Sequence, residues 1–326
     1  MCTAISFKAS EHYFGRNLDL EHSYNENIII VPRKYPFNFR RVISIEKHYA
    51  MIGMGIVVNN YPLYFDAANE RGLSIAGLNF PDNAVYYEEV HEKENIAPFE
   101  LIPWLLSGCS NVREAVKLLE RTNIVNIPFS EELTLTPLHW MISDREATIV
   151  VEAVKEGLRI YDNPVGVLTN NPAFNMQMFN LNNYMQMSTR PPVNFLSDSL
   201  ELQVYSRGMG ALGLPGDLSS QSRFVKAVFT KLNSVACESD EDSISQFFHI
   251  LGAVEQQKGC VRIGNEYEFT IYTSCCNTDK GIYYYTTYGN RCINGVDMNT
   301  EDLETDSLIE YPLIKNQQIN IQNKQG

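Results

Sequence analysis

The 326-residue sequence predicts an α+β chain in which stacked sheets are covered by helices, rather than a repeated βαβ unit. Three observations predict it. Strand-like runs occur in neighbouring groups joined by short turns, with prominent hairpins. Helix signals fall in separate blocks, giving the order strands, helices, strands, helices, strands. No internal repeat and no break in composition interrupts the chain, which points to a single domain over residues 2–326.

The elements follow from local chemistry. Residues 2–7, Cys-Thr-Ala-Ile-Ser-Phe, suit a first strand, Lys8 to His12 a polar turn, and Tyr13-Phe14-Gly15-Arg16 the start of a second strand. Ile28-Ile29-Ile30-Val31 is a third strand, stopped by Pro32. Gly53–Val58 and Gly72–Leu78 read as further strands with turns between them. A helix is expected around 98–107, with Pro103 near an end or at a kink. A second helix covers 111–120, where Asn111 can cap, Glu114 follows three residues later, and Val112, Ala115, Val116 and Leu119 recur at helical spacing.

Residues 147–154 form the strongest central strand, and Lys155-Glu156-Gly157 turns it into a hairpin partner at Leu158–Tyr161. Gly166–Thr169 is a short strand ending at Asn170-Asn171-Pro172. A mostly polar stretch, part helix and part extended, runs on to Pro191-Pro192. Ser222–Val228 and Ser243–Glu255 read as helices, and Tyr267–Ser274 with Gly281–Tyr288 as a second hairpin. From about residue 315 the chain is rich in Asn and Gln and reads as a loose tail.

Composition narrows the function classes. Thirty-nine acidic residues against 26 basic ones give a formal charge of −13, which discourages non-specific contact with nucleic acid or anionic membranes. No basic stripe, signal-like apolar start or membrane-length apolar run is present, so neither nucleic-acid binding nor stable membrane insertion is expected. Seven cysteines (Cys2, Cys109, Cys237, Cys260, Cys275, Cys276 and Cys292) make a poor disulfide framework in a chain this long, which favours the cytoplasm. The histidines show no zinc spacing, and there is no phosphate loop, dinucleotide fingerprint or Gly-x-Ser-x-Gly elbow. His139-Trp140, after Pro137, reads as packing.

The residue that carries chemistry is Cys2. If Met1 is removed, one residue holds both a thiol and a free α-amine, whose reference pKa values are about 8.5 and roughly 7.7–8.0. The amine can take the thiol proton and return it to a leaving amine, with no histidine needed. In Arg16-Asn17-Leu18-Asp19, Arg16 can hold the thiolate and Asp19 can hydrogen-bond the α-amine, although the segment judged alone reads first as a surface Arg–Asp pair. Asn79 and Asn170 each end an apolar run, where they are either turn formers or donors to a tetrahedral oxyanion. Arg223, beyond Leu214-Pro215-Gly216-Asp217, can orient Asp19 or steady the arginine network, or form a salt bridge unrelated to catalysis.

Taken in order, Met1-Cys2-Thr3, Phe14–Asp19, Ala76–Pro81, Leu138–Asp144, Gly166–Asn170 and Leu214–Asp217 resemble the choloylglycine hydrolase family of bile salt hydrolases and penicillin V acylases. The likeness runs to about residue 312 and leans toward the bile salt hydrolases, because Asn79 stands where penicillin V acylases often carry tyrosine. The resemblance implies a four-layer αββα N-terminal-nucleophile fold and a frequent homotetramer. It also implies a site of Cys2, Arg16, Asp19, Asn79, Asn170 and Arg223, and hydrolysis of the amide joining a bile acid to glycine or taurine with no metal or organic cofactor. Residues 180–212 resemble the family's subunit-contact extension. Leu18–Tyr24, Tyr61–Phe65 and Leu133–Leu138 are candidate walls for a steroid pocket. Penicillin V or other N-acyl amide hydrolysis is the alternative reaction, and a non-catalytic small-molecule binding protein the alternative class.

Overall fold

The structure, a computed structural model, describes residues 1–235 and 238–324; Cys237 lies outside them. The chain opens with β1 (Cys2–Lys8), β2 (His12–Leu20), β3 (Asn27–Val31), β4 (Met51–Val58), β5 (Tyr61–Asn69), β6 (Ser74–Asn79) and the short β7 (Glu94–Ile96). Two helices follow, α1 (Leu101–Gly108) and α2 (Val112–Leu119). Pro103 falls in the first turn of α1, where its missing N–H costs nothing. Asn111 caps α2 as its sequence suggests, its side chain accepting from the Glu114 N–H at 3.0 Å.

The middle of the chain supplies β8 (Thr122–Ile124), β9 (Leu138–Ser143), β10 (Thr148–Val154), β11 (Gly157–Asp162), β12 (Val167–Leu168) and α3 (Phe174–Asn180). The last third adds α4 (Ser220–Asn233), α5 (Asp240–Gly252), β13 (Val261–Ile263), β14 (Glu266–Asn277), β15 (Ile282–Thr287), β16 (Asn290–Asp297) and β17 (Ile309–Pro312).

Two antiparallel sheets carry the architecture. In the first the order is β12-β1-β2-β14-β15-β16, with β13 appended to β14; in the second it is β11-β10-β9-β6-β5-β4-β3-β17. Helices α4 and α5 lie on the first sheet against β1, β2, β12 and β14, and α1 lies on the second against β5 and β6. The layers therefore run helix, sheet, sheet, helix, as the resemblance implied.

This layering explains why several strands read as unbroken apolar runs. In β3, Ile28 and Ile30 enter the core between the sheets, whereas Ile29 and Val31 pack with Leu101 and Leu105 of α1. In β10, Val150 faces the inter-sheet core and Ile149 and Val151 the helical layer. A strand covered on both faces needs apolar side chains at every position, not every second one.

Three differences from the sequence reading have physical causes. Gly72 belongs to a turn, with a φ of 88° that a side chain would disfavour, and β6 begins two residues later. Residues 61–69 form a strand where turns were expected, because Pro62 and Asp66 interrupt its apolar pattern. Asn290–Asp297 also escaped notice: Arg291, Asn294, Gly295 and Asp297 break its apolar pattern, as the edge of a sheet allows.

Candidate active site

Cys2 opens β1, and β1 runs antiparallel to β2 with Cys2 opposite Leu18 and Ala4 opposite Arg16. Side chains alternate along a strand, so Cys2, Arg16 and Leu18 share the face toward the second sheet. Asp19 is three residues from Arg16 and points the other way, toward α4. The sequence neighbours Arg16 and Asp19 are thus not a surface ion pair; each serves a different side of the same chain terminus.

On the inter-sheet side Arg16 is fully buried and donates through Nη2 to the Cys2 sulfur. Its Nη1 donates to the carbonyls of Gly77 and, at 3.1 Å, Phe65. Those acceptors exist because the second sheet opens locally. The β5–β6 ladder ends at the pair Asp66–Ala76, and Phe65 is the extra residue of a bulge against β4. The guanidinium satisfies carbonyls that the ladder leaves free and holds a fixed positive charge on the thiol. Burial disfavours that charge, but Cys2, Tyr272, Asp66 and Asp19 raise the Arg16 pKa above its ordinary value.

Asp66 was not singled out from sequence. It is buried beneath Arg16, accepting from Tyr283 at 2.5 Å and Tyr272 at 2.7 Å, and burial raises its pKa although Arg16 opposes the shift. The only sequence signal was a carboxylate within the apolar run Tyr64-Phe65-Asp66-Ala67-Ala68.

On the helix side, Ser219 caps α4, and Arg223 stands one turn in, buried against the terminus. Its Nη1 donates to the Cys2 carbonyl and to Thr3 Oγ1, each at 2.6 Å, and its Nη2 to Asn170 Oδ1 at 2.9 Å. Asp19 lies 4.0 Å from Arg223 and accepts from Thr270 at 2.6 Å, while its Oδ2 has no hydrogen-bond partner among the described residues. Burial raises the Asp19 pKa and lowers that of Arg223, each partly offset by the other.

Asn170 follows β12, the strand beside β1. Its Oδ1 accepts the Cys2 N–H at 2.7 Å, and its Nδ2 donates to the Asn79 carbonyl at 2.7 Å. The expectation that both asparagines supply a side-chain or backbone donor to an oxyanion is thus divided, since the Asn170 backbone N–H is also taken, by Ser220 Oγ at 2.8 Å. Asn170 is committed to holding the Cys2 nitrogen and the end of β6, whereas the Asn79 side chain makes no hydrogen bond among the described residues and remains available.

Strand β2 runs two residues, Asp19 and Leu20, past the partner of Cys2, and Met1 lies beside the first of them. The Asp19 N–H donates to the Met1 carbonyl at 2.9 Å, and the Met1 ammonium donates to the Asp19 carbonyl at 2.6 Å. That ammonium also pairs with Glu268 Oε2 at 2.7 Å. Glu268 is 3% exposed and its second oxygen is unpartnered among the described residues. Glu268 and Thr270 were both missed; the sign of them was a polar residue at every second position in Glu266-Tyr267-Glu268-Phe269-Thr270.

The six residues named from sequence therefore meet at Cys2: Arg16, Asn170 and Arg223 by direct hydrogen bonds, Asn79 through its backbone carbonyl, and Asp19 through the 4.0 Å ion pair with Arg223. The pocket walls fare differently. Tyr24 and Phe65 meet ring to ring at 6.1 Å near Arg16. A cavity of about 770 Å³ is lined by Tyr35, Arg40, Tyr61, Phe99 and Phe129 and does not reach Cys2; of the proposed walls only Tyr61 lines it. Chemically, the site offers a thiol under a fixed cation, a nitrogen held by an acceptor, and an uncommitted amide donor. That set suits attack on a carbonyl followed by proton transfer to a leaving amine. Among the described residues no His, Cys, Asp and Glu cluster could hold a metal ion.

A family model for linear amide C–N hydrolases, choloylglycine hydrolase family, matches residues 2–311. The chain is 59% identical to the bile salt hydrolase/transferase of Lactiplantibacillus plantarum over 96% of this chain and 97% of that one. It is 40% identical to the bile salt hydrolase/transferase of Clostridium perfringens, over 98% and 99% respectively. A crystal structure of a mutant conjugated bile acid hydrolase from Clostridium perfringens superimposes with a TM-score of 0.92, covering 99% of this chain and 100% of that chain at 40% identity. Penicillin V acylase from Agrobacterium tumefaciens shares the fold, with a TM-score of 0.77 at 19% identity over 97% and 92% of the two chains.

Proposed function

The chain belongs to the choloylglycine hydrolase family, and from that premise we propose that it hydrolyses the amide of glycine- or taurine-conjugated bile salts. The observation that carries the reading is the Cys2 sulfur held under the buried Arg16 guanidinium at the mouth of β1. Removal of Met1 frees the Cys2 nitrogen, which Asn170 Oδ1 already orients. The thiol proton passes to that amine, and the sulfur attacks the substrate carbonyl. The oxyanion then draws on the Asn79 side chain, and the amine protonates the departing glycine or taurine. Water activated by the same amine releases the bile acid from the thioester. Arg16 steadies the thiolate, and Arg223 and Asp19 keep the terminus in line.

We further propose that residues 2–326 act as one domain that assembles as a homotetramer through the 180–212 extension. Support comes from its exposed apolar side chains, among them Met185 (84%), Phe195 (90%), Leu196 (77%) and Tyr205 (82%), on a segment almost without regular structure. Among the described residues no helix is long and apolar enough to cross a membrane. We place the enzyme in the cytoplasm, consistent with its six described cysteines being unpaired.

The test is release of amino acid from glycocholate, taurocholate and penicillin V by wild type and by Cys2→Ala. Turnover of a conjugated bile salt by wild type and none by Cys2→Ala is expected. Penicillin V cleavage alone would move the substrate while keeping the reaction, and binding without turnover would make the chain a carrier. Mass spectrometry of active protein should show a chain beginning at Cys2; activity with Met1 retained would overturn the role of the amine.

A further inference from the structure

The two asparagines that flank Cys2 come from different sheets: Asn79 ends β6 of the second, and Asn170 follows β12 of the first. The Asn170 Nδ2 hydrogen bond to the Asn79 carbonyl joins them directly, and their alignment depends also on what holds the two chain segments beyond that bond. His139 of β9 does so on both sides. It lies opposite Leu78 in the β6–β9 ladder and is fully buried. Its ring stacks on Phe80, the residue after Asn79, with centroids 4.2 Å apart and planes 7° from parallel. Its Nε2 sits 2.8 Å from the carbonyl of Thr169, the residue before Asn170.

The chemistry of the partners fixes this ring in one orientation. A carbonyl can only accept, so Nε2 carries a proton. Nδ1 faces Glu152 Oε1 at 3.2 Å, and a proton must lie between that nitrogen and that oxygen. Glu152 is itself fully buried, and its Oε1 also accepts the N–H of Phe174 at 2.9 Å, at the start of α3. The pair thus reaches the Asn170 segment from both sides, through Thr169 and through α3. Phe80 is held in turn by its N–H to the Pro137 carbonyl at 2.7 Å. No part of this arrangement touches Cys2, Arg16 or Asp19.

We propose that His139, seated on Glu152, is a positioning residue that sets the spacing of Asn79 and Asn170, and through it the aim of the Asn79 donor at the oxyanion. The sequence reading gave His139 a packing role, and packing alone would call for an apolar ring there. A buried imidazole with both nitrogens committed, bridging the residues next to the two asparagines, is built for alignment. Oxyanion donors are sensitive to such alignment: a misplacement of about 1 Å can cost on the order of 100-fold in rate.

This inference rests on the hydrolase reading of the site, so its test separates the two. His139→Phe keeps a flat ring against Phe80 and loses both hydrogen bonds; His139→Gln keeps an amide N–H able to reach the Thr169 carbonyl. Two quantities are measured in each variant: steady-state hydrolysis of a conjugated bile salt, and the rate of Cys2 alkylation by iodoacetamide. Alkylation needs the thiolate but passes through no tetrahedral oxyanion. For His139→Phe, kcat should fall roughly 10- to 100-fold with KM within about threefold and alkylation within about twofold of wild type. His139→Gln should fall between the two, and if His139→Phe does not fold, His139→Gln decides by the same readouts. Unchanged kcat, or alkylation slowed as much as turnover, would overturn the positioning role. A wild type that turns over neither conjugated bile salts nor penicillin V would overturn the hydrolase reading itself, and this role with it.

Discussion

The β1–β2 hairpin carries a buried polar cluster at each end, and the two are opposites. At the turn end, Ser6, His12, Ser143, Thr148 and Thr278 form a closed neutral network. His12 Nε2 meets Ser6 Oγ at 2.9 Å, His12 Nδ1 meets Thr278 Oγ1 at 2.7 Å, and Ser143 reaches Ser6 at 2.9 Å and Thr148 at 2.8 Å. Every one of these side chains is partnered, and burial lowers the His12 pKa to about 4, which keeps the ring neutral. At the other end sit two arginines, three buried carboxylates and a thiol, with Asp19 Oδ2 and Glu268 Oε1 unpartnered among the described residues.

The lesson is about satisfaction rather than polarity. Both clusters are buried, both join the two sheets, and both contain groups that catalyse in other settings. The closed one has no capacity left and holds the fold; the open one keeps uncommitted charge and donors at a chain terminus.

The sharpest way to break this comparison is at Cys2. Cys2→Ala should abolish hydrolysis, a loss of at least roughly 1,000-fold in kcat, while denaturant titration shows little change in stability. Residual turnover within tenfold of wild type would put the chemistry elsewhere. Asn79→Ala comes next. Its side chain makes no internal hydrogen bond, so kcat should fall about 100- to 1,000-fold with stability changed by under about 1 kcal/mol. A stability loss without a kcat loss would return Asn79 to the turn-former reading.

The closed end should answer to pH and not to substrate. The folded pKa of His12, about 4, lies below its ordinary 6.5, so the unfolded chain binds the extra proton first as pH falls. Stability is complete above about pH 6.5 and declines through the window down to about 4, by roughly 3 kcal/mol in all. His12→Gln should flatten that decline in denaturant titrations at pH 7 and pH 4.5; an identical slope in the variant would remove His12 as its source. At the Cys2 end the sign reverses. Burial raises the Asp19 and Asp66 pKa values, so their contribution is present below the ordinary carboxylate pKa and is lost as pH rises from there through the raised folded values. The smallest effect belongs to Ser6→Ala, which leaves His12 Nε2 only the longer 3.3 Å contact to Ser143 Oγ and should cost about 1 kcal/mol with kcat within twofold of wild type. A large kcat loss there would show that the two ends are coupled.

Much of this molecule was legible in one dimension because its strands obey local rules. Continuous apolar runs at Ile28–Val31 and 147–154 marked strands covered on both faces, the Asn111–Glu114 pair marked a helix start, and ordered short motifs marked the six residues around Cys2. Residues whose meaning is non-local were illegible. Glu268 and Asp66 looked like ordinary strand carboxylates until the fold buried them beside the terminus and beneath Arg16. His139 looked like packing until its ring was seen to bridge Phe80 and Thr169.

By itself the sequence determined the layered α+β class, the nucleophile and its immediate set, because periodicity and motif order are written residue by residue. Only the tertiary structure decided which face of β2 each charge serves, that Asn170 is an acceptor for the Cys2 nitrogen, and that the two ends of one hairpin differ in hydrogen-bond satisfaction. Those facts depend on a strand register, a bulge at Phe65 and the meeting of two sheets, and such contacts join residues 49 to 251 positions apart in the chain.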